Sequence, residues 1–520
     1  MERIWSGDAT LWKSDPGHRS TIENALGWLT IADRMAASLP RLEELSAGLF
    51  HGTERVLVLG MGGSSLAPFV FASSFPRRPG FPRLEVLDST EPSTVLAAAE
   101  SAPPERSIYV VSSKSGTTLE PNLFFDWFFA VAEKELAGRA GERFVVVTDP
   151  GTPLEKVARD RGVRAIVPGD PAIGGRYSAL SAFGIVPAAL AGIDVGEMLR
   201  RARAAAAECR EPAPDRNPGA SLGAAIGALA LERRDKLTFS VGAPVDRFGM
   251  WLEQLIAEST GKEGKGVLPV EGEPLGAPEV YGEDRFFVRI SPPGAPDPDG
   301  SLAKLAGSGH PVAWLEIPDA LELGAEMFRW EFATAIAGAL VGIDPFDQPN
   351  VQEAKDRTNE ILGGKGGAAA EEPPSAPDPN ALAKLIDSIA PGDYFAITAY
   401  LPPTPENEER LARIRLPVRD AKRVATTVGF GPRFLHSTGQ FHKGGPETGV
   451  FLQITTESLA RVAIPGRPWG FGPVISAQAA GDLAALRSRG RRALSVRIAE
   501  PGAGLTSLAG EVERAAGVAR

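Results

Sequence analysis

Short apolar runs alternate with amphipathic segments along most of this chain, which predicts β-strands separated by α-helices. Apolar strands in such an alternation indicate a parallel sheet covered by helices on both faces. A first α/β unit of this kind extends from about residue 53 to 168. Its predicted strands are 55–60, 84–88, 107–112, 143–148 and 163–167, with a helical pattern over Asn122–Leu136.

Two further units repeat the alternation, and a helical segment precedes all three. Residues 1–50 are predicted to be helical, with apolar positions at helical spacing in Thr21–Ala37. The second unit has predicted strands at 236–241, 285–290 and 312–317, and helices at 246–259 and Glu322–Val341. The third unit has predicted strands at 393–400, 449–455 and 493–498, and helices at 406–414, 418–428 and 476–488.

One stretch separates the second unit from the third. Residues 363–380 read GGKGGAAAEEPPSAPDPN, and their Gly, Ala and Pro with few large apolar groups predict a linker. We therefore expect five segments. They are a helical segment 1–50, α/β domains 51–214 and 215–362, the linker 363–380, and a C-terminal α/β unit 381–520.

Composition narrows the class of protein. Hydrophobic residues make up 43% and charged residues 23% of 520 residues, which is ordinary for a globular protein. The net charge of −10 argues against a nucleic-acid partner. The single Cys209 excludes an internal disulfide framework and a multi-cysteine metal site. The opening MERIWSGDATLW has no apolar signal core and no apolar run reaches the ~20 residues of a spanning helix, so we expect a cytoplasmic protein.

Two turns after predicted strands carry the clearest candidate chemistry. Gly60–Leu66 reads GMGGSSL and Ser112–Glu120 reads SSKSGTTLE, each between an apolar strand and a helical pattern. Small residues there let backbone N–H groups approach an anion, and the following helix N-terminus favours negative charge. Two such turns on neighbouring strands predict a pocket for one phosphate. The hydroxyl and ammonium donors are Ser64, Ser113, Lys114, Ser115, Thr117 and Thr118.

Other interpretations of the turns stay open at this point. Each turn alone is also typical of a tight βα connection that uses Gly and Ser for geometry. A dinucleotide site would need G-x-G-x-x-G. Gly60 and Gly62 fit this pattern, but Ser65 stands where the third glycine belongs. Asp88, at the end of the next strand, is where an acid for a ribose would lie.

Further candidates lie outside the turns. Arg176, in GGRYS at a helix start, is a candidate for binding a phosphate or an enediolate. Glu258, near a helix end beside a Gly turn, is a candidate general base. The Gly-rich stretch 429–453 contains His436 and His442, either of which can move a proton near neutral pH. The two histidines lack a matching acidic or cysteine pair, so we expect no zinc site.

The order of the motifs resembles glucose-6-phosphate isomerase. These motifs are GMGGSS, SSKSGTT, GGRYSALS, ESTGKEGKG and PFDQPNVQEAK, over about residues 55 to 361. DATLW, WEFATAIAG and LHSTGQFHKGGP look like the isomerase half of bifunctional transaldolase/glucose-6-phosphate isomerase proteins, although no transaldolase-like half is found. The resemblance implies two doubly wound, flavodoxin-like sugar-isomerase (SIS-type) domains of parallel sheet. It also implies a homodimer.

The resemblance implies a role for each matching residue. Gly63, Ser64, Ser113, Lys114, Ser115, Thr117 and Thr118 match the sugar-phosphate-binding turns. Arg176 matches the arginine near the enediolate oxygens, Glu258 the base that moves a proton between C2 and C1, and Lys355 the lysine that supports ring opening.

The ring-opening histidine departs from the usual order of the family. Ordinary members carry it between the glutamate and the lysine, where this chain has only the unmatched His310. The LHSTGQ motif lies instead after the linker, so we expect His436 to be the ring-opening acid/base, with His442 second and His310 third.

The function implied is interconversion of glucose 6-phosphate and fructose 6-phosphate without a metal or organic cofactor. The alternatives are a non-catalytic sugar-phosphate sensor on the same scaffold and a nicotinamide dehydrogenase. The latter rests on the glycine turn alone.

Overall fold

The computed structural model describes residues 1–48, 52–363 and 376–517, and within the helix 351–362 the side chains of 351–355 and 359 lie outside this description. The described residues form three parallel sheets. The strands are β1 Arg55–Leu59, β2 Arg83–Leu87, β3 Ser107–Ser112, β4 Phe144–Thr148, β5 Ala165–Pro168, β6 Lys236–Val241, β7 Leu268–Val270, β8 Arg285–Ser291, β9 Val312–Glu316, β10 Tyr394–Ala399, β11 Ala425–Phe430, β12 Gly449–Thr456 and β13 Arg492–Ile498.

Helices cover the sheets and connect their strands. The helices are α1 Glu2–Trp5, α2 Pro16–Glu23, α3 Ile31–Ala37, α4 Leu39–Ala47, α5 Leu66–Ser74, α6 Pro92–Glu100, α7 Leu119–Leu136, α8 Pro153–Asp160, α9 Ala182–Leu190, α10 Val195–Glu208, α11 Pro218–Leu231, α12 Phe248–Thr260, α13 Ser301–Gly307, α14 Leu323–Val341, α15 Val351–Leu362, α16 Pro379–Asp387, α17 Pro405–Lys422, α18 Gly439–Gly444, α19 Phe471–Ser488 and α20 Pro501–Ala515. The α/β class with parallel sheets is confirmed.

The three sheets share one winding order. The first is ordered β2-β1-β3-β4-β5, the second β7-β6-β8-β9 and the third β11-β10-β12-β13. In each sheet the second strand lies on one side of the first strand and the third strand on the other, so the order of the strands reverses there. Ligands in such sheets bind outside the carboxyl ends of the strands at that reversal. In the first sheet the reversal lies between β1 and β3, the two strands that lead into the predicted phosphate turns.

Several predicted elements differ from the structure. The helix predicted over 418–428 is wrong, because α17 ends at Lys422, Arg423 adopts a φ of +57°, and β11 follows. The β-branched residues Thr426, Thr427 and Val428 favour a strand that pairs with β10. The strand β7 was not predicted, because it has only three residues. The third unit begins earlier than predicted, since α16 starts at Pro379, and residues 364–375 of the predicted linker lie outside the described residues.

The helical pattern near the N-terminus is also interrupted. α2 ends at Glu23 and α3 begins at Ile31, although the apolar spacing over Thr21–Ala37 suggested continuous helix. Between the two helices Leu26 forms an antiparallel bridge with Ile173, and the Gly27 amide donates to the carbonyl of Ala172 at 2.8 Å. The tertiary contact with the segment before Arg176 therefore interrupts the α-helix, and Gly27–Thr30 form a turn of 3-10 helix before α3 begins.

The third unit packs against both of the others. Phe471, at the start of α19, stacks on Phe124 of α7 with ring centroids 5.9 Å apart. Tyr394 and Phe441 share a buried cluster with Ala257 of α12. Burial of apolar surface on two sides therefore holds the third unit against both the first and the second unit. In the part of the chain that the structure describes, no helix is long and apolar enough to cross a membrane.

Candidate functional site

The first glycine turn lies directly against the segment that carries Arg176. Gly62–Ser64 form a single turn of 3-10 helix after β1, and all three residues are buried. A Cβ on Gly63 would lie 1.9 Å from the carbonyl oxygen of Gly175, so the two turns approach as closely as glycine alone permits. This contact places the Arg176 backbone beside the predicted phosphate turn.

The second turn follows β3 and leads into α7. The ammonium group of Lys114 lies 2.5 Å from a carboxylate oxygen of Asp149, and the hydroxyls of Ser115 and Thr117 are 3.0 Å apart. Ser113 is buried, and among the described residues its hydroxyl has no hydrogen-bond partner. Since β1 and β3 are paired neighbours, the two turns lie side by side at one edge of the first sheet. Thr118 precedes the first residue of α7.

Arg176 is buried, and its guanidinium reaches the second unit. It donates to the hydroxyl of Ser259 at 2.8 Å, to the amide oxygen of Gln348 at 2.9 Å, and to the carbonyls of Pro345 and Asp347 at 2.6 and 2.8 Å. These partners fix the planar group in one orientation. The side chain therefore sits at the junction of the first and second sheets.

Glu258 lies beside this guanidinium on the last turn of α12. One carboxylate oxygen is 3.6 Å from Nη1 of Arg176, and the residue is 4% exposed. The amide of Gln254, one helical turn earlier, is 3.5 Å from the same oxygen. A buried carboxylate paired with a buried arginine is suited to taking a proton next to a site where negative charge develops.

Lys262 also lies in the site, but its position was not predicted from the sequence, although it belongs to the quoted ESTGK motif. Its ammonium group donates to the carbonyls of Asp344 and Asp347 at 2.8 and 2.5 Å and contacts the Asp347 carboxylate at 2.6 Å. Burial and the positive charge of Arg176 lower the pKa of Lys262 to about 8. Lys262 thus holds the segment 344–348, whose carbonyls in turn hold Arg176.

His18, on α2 near the N-terminus, contacts the same segment 344–348. Its Nδ1 is 3.0 Å from a carboxylate oxygen of Asp344 and 3.5 Å from one of Asp347. The hydrogen bond to Asp344 raises the pKa of His18, so the ring gains a positive charge more readily than a free histidine. The three side chains and the ammonium of Lys262 form an ion-pair cluster behind Arg176.

His436 comes from the third unit and faces the first. Its Nε2 lies 3.1 Å from a carboxylate oxygen of Glu120, the second residue of α7. Its carbonyl accepts a hydrogen bond of 2.7 Å from Gln254 of α12, so the residue is held by both other units. Gln254 therefore bridges Glu258 and the backbone of His436.

A role for Glu120 in the site was not predicted from the sequence either, although it is the last residue of the quoted SSKSGTTLE motif. It is 3% exposed, and the oxygen that faces His436 also accepts a hydrogen bond of 2.7 Å from Gln478. A glutamate in the first turn of a helix usually stabilises the helix through its dipole. The sequence around Glu120 therefore does not indicate its contact with a histidine 316 positions away.

The two other candidate histidines lie apart from this constellation. His442 is buried in the third unit, where its Nδ1 lies 3.0 Å from the hydroxyl of Tyr394 and its ring packs against Phe451. Burial lowers the pKa of His442 well below the usual value. His310 packs edge-on against Tyr281 and Phe287, beside the second sheet. Both imidazole rings therefore pack against aromatic side chains, apart from Glu258 and Arg176.

Asp88, the candidate acid for a ribose, is engaged in an ion pair. Arg433 donates to its two oxygens at 2.8 and 2.7 Å, and Ser65 contacts it at 3.4 Å. Asp88 is 2% exposed. This pair connects the loop that carries His436 to the first sheet, and it occupies the carboxylate that a dinucleotide site would use.

Lys355 lies on α15, but its side chain is outside the described residues. The backbone of α15 begins directly after the segment 344–350, which includes the carbonyls that hold Arg176. The predicted role of Lys355 in ring opening therefore stays a prediction.

A cavity of about 130 Å³ lies beside the loop that carries His436, between the second and third units. Glu253 and Glu271 line it, and Ser437 donates to Glu253 at 3.4 Å. Burial, together with the charge of Glu271, raises the pKa of Glu253 to about 8, and burial raises the pKa of Glu271 to about 7. Phe434 and Ser437, the neighbours of His436 on its loop, also line the cavity.

The arrangement combines three chemical capabilities at the place where the three units meet. The turns after β1 and β3 offer donors for an anion, Glu258 offers a base beside the cation of Arg176, and His436 offers an imidazole backed by a carboxylate. Such a set can bind a phosphorylated substrate, move a proton and stabilise the negative charge that results.

Comparisons with known proteins agree with this chemistry. A family model described as phosphoglucose isomerase matches residues 41–270. That range contains both turns, Arg176 and Glu258, but ends before His436. The glucose-6-phosphate isomerase of Rubrobacter xylanophilus is 30% identical over 396 residues, which cover 63% of this chain and 89% of the relative.

Solved structures agree in fold. A hypothetical protein of Thermus thermophilus superposes with a TM-score of 0.58 and 23% identity, covering 69% of this chain and 95% of that chain. A glucose-6-phosphate isomerase of Chlamydia trachomatis gives a TM-score of 0.52 and 19% identity, covering 71% of this chain and 78% of that chain. At these identities the likeness concerns the arrangement of sheets and helices.

Proposed function

Because this chain belongs to the phosphoglucose isomerase family, we propose that it interconverts glucose 6-phosphate and fructose 6-phosphate with Glu258 as the base. The family predicted from the sequence motifs is confirmed. The observation that carries the proposal is the buried Glu258 carboxylate 3.6 Å from the buried Arg176 guanidinium, beside the two turns. The likeness to the isomerase half of bifunctional proteins stays a prediction.

Binding of the sugar phosphate would use the turns after β1 and β3. The proposed donors are the backbone and side chains of Gly63, Ser64, Ser113, Lys114, Ser115, Thr117 and Thr118. The unpartnered hydroxyl of Ser113 and the N-terminus of the 18-residue α7 support this assignment. The phosphate would then anchor the sugar with its reactive carbons toward the second unit.

Ring opening is the first chemical step. A cyclic hexose phosphate opens when a proton leaves the O1 hydroxyl and another reaches the ring oxygen O5. We assign this transfer to His436, since Glu120 orients its ring and can stabilise the imidazolium form. Lys355 would support the same step.

Isomerisation then moves a proton between C2 and C1. Glu258 would take the proton from C2, next to the C1 carbonyl, giving an enediolate, and return it to C1 while the hydroxyl proton passes from O2 to O1. Arg176 would stabilise the negative charge on the enediolate oxygens. General base action of this kind contributes roughly 10²–10⁴-fold to the rate. The non-catalytic sensor hypothesis gains no support from the site or from the comparisons.

The test is a coupled assay of fructose 6-phosphate conversion on the wild-type chain, Glu258→Gln and Glu263→Gln. Glu263 lies five residues further along, where its exposed carboxylate pairs with Lys13 at 2.7 Å. We expect the Glu258 variant to lose about 10²-fold or more in kcat. The Glu263 variant should stay within about twofold of the wild type, because exposed ion pairs contribute little. A wild-type chain without turnover would contradict the proposed function.

Three further expectations are part of the proposal. We propose the domain division 51–214, 215–362 and 379–520, with one sheet in each part. A homodimer and a cytoplasmic location are also proposed from the family. Sedimentation of the full chain would test the homodimer. Complementation of a bacterium that lacks its cytoplasmic isomerase would test function in that compartment.

A further inference from the structure

Gln478 connects the third unit to the carboxylate behind His436. It lies on α19, is 2% exposed, and its amide nitrogen donates to Oε1 of Glu120 at 2.7 Å. The same oxygen is 3.1 Å from Nε2 of His436. One carboxylate oxygen therefore receives hydrogen bonds from an amide and from an imidazole.

Thr90 fixes the orientation of this amide. Its hydroxyl donates to the amide oxygen of Gln478 at 2.6 Å, and Thr90 is fully buried in the loop after β2. Because the oxygen of the amide faces the threonine, the NH₂ group must face Glu120. The stacking of Phe471 on Phe124 connects the start of α19 with α7, which carries Glu120.

The hydrogen bond has a physical consequence for the imidazole. A donor to a carboxylate favours its ionised form, and burial alone would favour the neutral form. An ionised Glu120 accepts the Nε2–H of His436, which leaves Nδ1 as the ring nitrogen available to the substrate. Without the amide, the carboxylate loses one of the donors that fix its orientation toward the imidazole.

We propose that Gln478, oriented by Thr90, is a positioning residue for the ring-opening step and acts through Glu120 on His436. The inference rests on the assignment of His436 to ring opening in the proposed function. It gives α19 a role beyond packing, because an amide of the third unit determines how a carboxylate of the first unit presents the histidine.

The experiment compares full-length wild type, Gln478→Met, Thr90→Val and Thr90→Ser. Exchange NMR on glucose 6-phosphate measures interconversion of its anomers, which requires only ring opening, separately from formation of fructose 6-phosphate. We expect Gln478→Met to slow anomer interconversion roughly tenfold, the effect of losing one hydrogen bond to a charged group. KM should stay within about twofold. Thr90→Val should give a smaller loss in the same direction, and Thr90→Ser should restore wild-type behaviour.

A second readout does not depend on turnover. Isotope-labelled histidine reports by NMR which ring nitrogen of His436 carries the proton. We expect the Nε2–H form in wild type and a mixture of both tautomers in Gln478→Met, because the amide no longer orients the carboxylate. Anomer interconversion and a His436 tautomer both equal to those of the wild type would overturn the inference. A loss confined to unfolding stability would also overturn it. An inactive wild type whose His436 tautomer still changes in Gln478→Met would contradict the isomerase function while supporting the positioning contact.

Discussion

Gly63→Ala tests how closely the first two turns of the site must approach. The added Cβ would lie 1.9 Å from the carbonyl oxygen of Gly175 and 2.3 Å from its carbonyl carbon. Both neighbours are backbone atoms, so no side chain can rotate away. The two turns must separate by at least about 1.1 Å before the first distance reaches 3.0 Å.

The separation has a predictable effect on rate and on stability. It moves the phosphate turn relative to Arg176 and Glu258, and a misplacement of about 1 Å reduces catalysis by roughly 10²-fold. Overpacking of a buried site also lowers the free energy of unfolding by about 1–3 kcal/mol. We therefore expect kcat to fall by roughly two orders of magnitude in a chain that still folds.

Gly174→Ala is the matched control, since its Cβ would meet only Cδ2 of Tyr177 at 3.9 Å. Steady-state kinetics with fructose 6-phosphate and urea unfolding of both variants give the comparison. The control should stay near wild type in both measurements. A folded Gly63→Ala chain with kcat within about threefold of wild type would refute the claim that this contact sets the geometry of the site.

Two other predictions concern groups that hold the units together. Arg433→Met leaves Asp88 buried and unpaired, so the free energy of unfolding measured in urea should fall by about 3–5 kcal/mol. Adding Asp88→Asn should recover part of that loss, and an additive double variant would contradict the pairing. The pKa of His18 is raised in the folded chain by Asp344, so its contribution to stability is fully present below the unfolded value of about 6.5. That contribution disappears as pH rises through the higher folded pKa. Wild type should therefore lose stability relative to His18→Gln on titration upward from about pH 6.5, and parallel stability curves would contradict this.

The sequence predicted the parts of the site that lie within short motifs. Glu258 stands in ESTGK and Arg176 in GGRYS. The structure brings their side chains together from the second unit and the first unit. Lys262 and Glu120 stand in quoted motifs too, but their partners are backbone carbonyls or a distant histidine that a linear pattern does not reveal.

Long-range contacts account for most of what the sequence did not predict. Gln478 donates to Glu120 across 358 positions, and Arg433 pairs with Asp88 across 345. Nothing in the surroundings of either residue along the chain indicates such a partner. The strand β11 was missed for a local reason, since the helical pattern of α17 extends almost to Arg423 and the chain then changes conformation within two residues.

The most direct test of the central claim is hydrogen exchange at C2 of glucose 6-phosphate in D₂O, followed by NMR with wild type, Glu258→Gln and His436→Gln. If Glu258 moves the proton, wild type forms fructose 6-phosphate and incorporates solvent deuterium at C2. Glu258→Gln should lose both by about 10²-fold or more, and His436→Gln should slow both through ring opening. Deuterium incorporation and product formation at wild-type rates in Glu258→Gln would contradict the account.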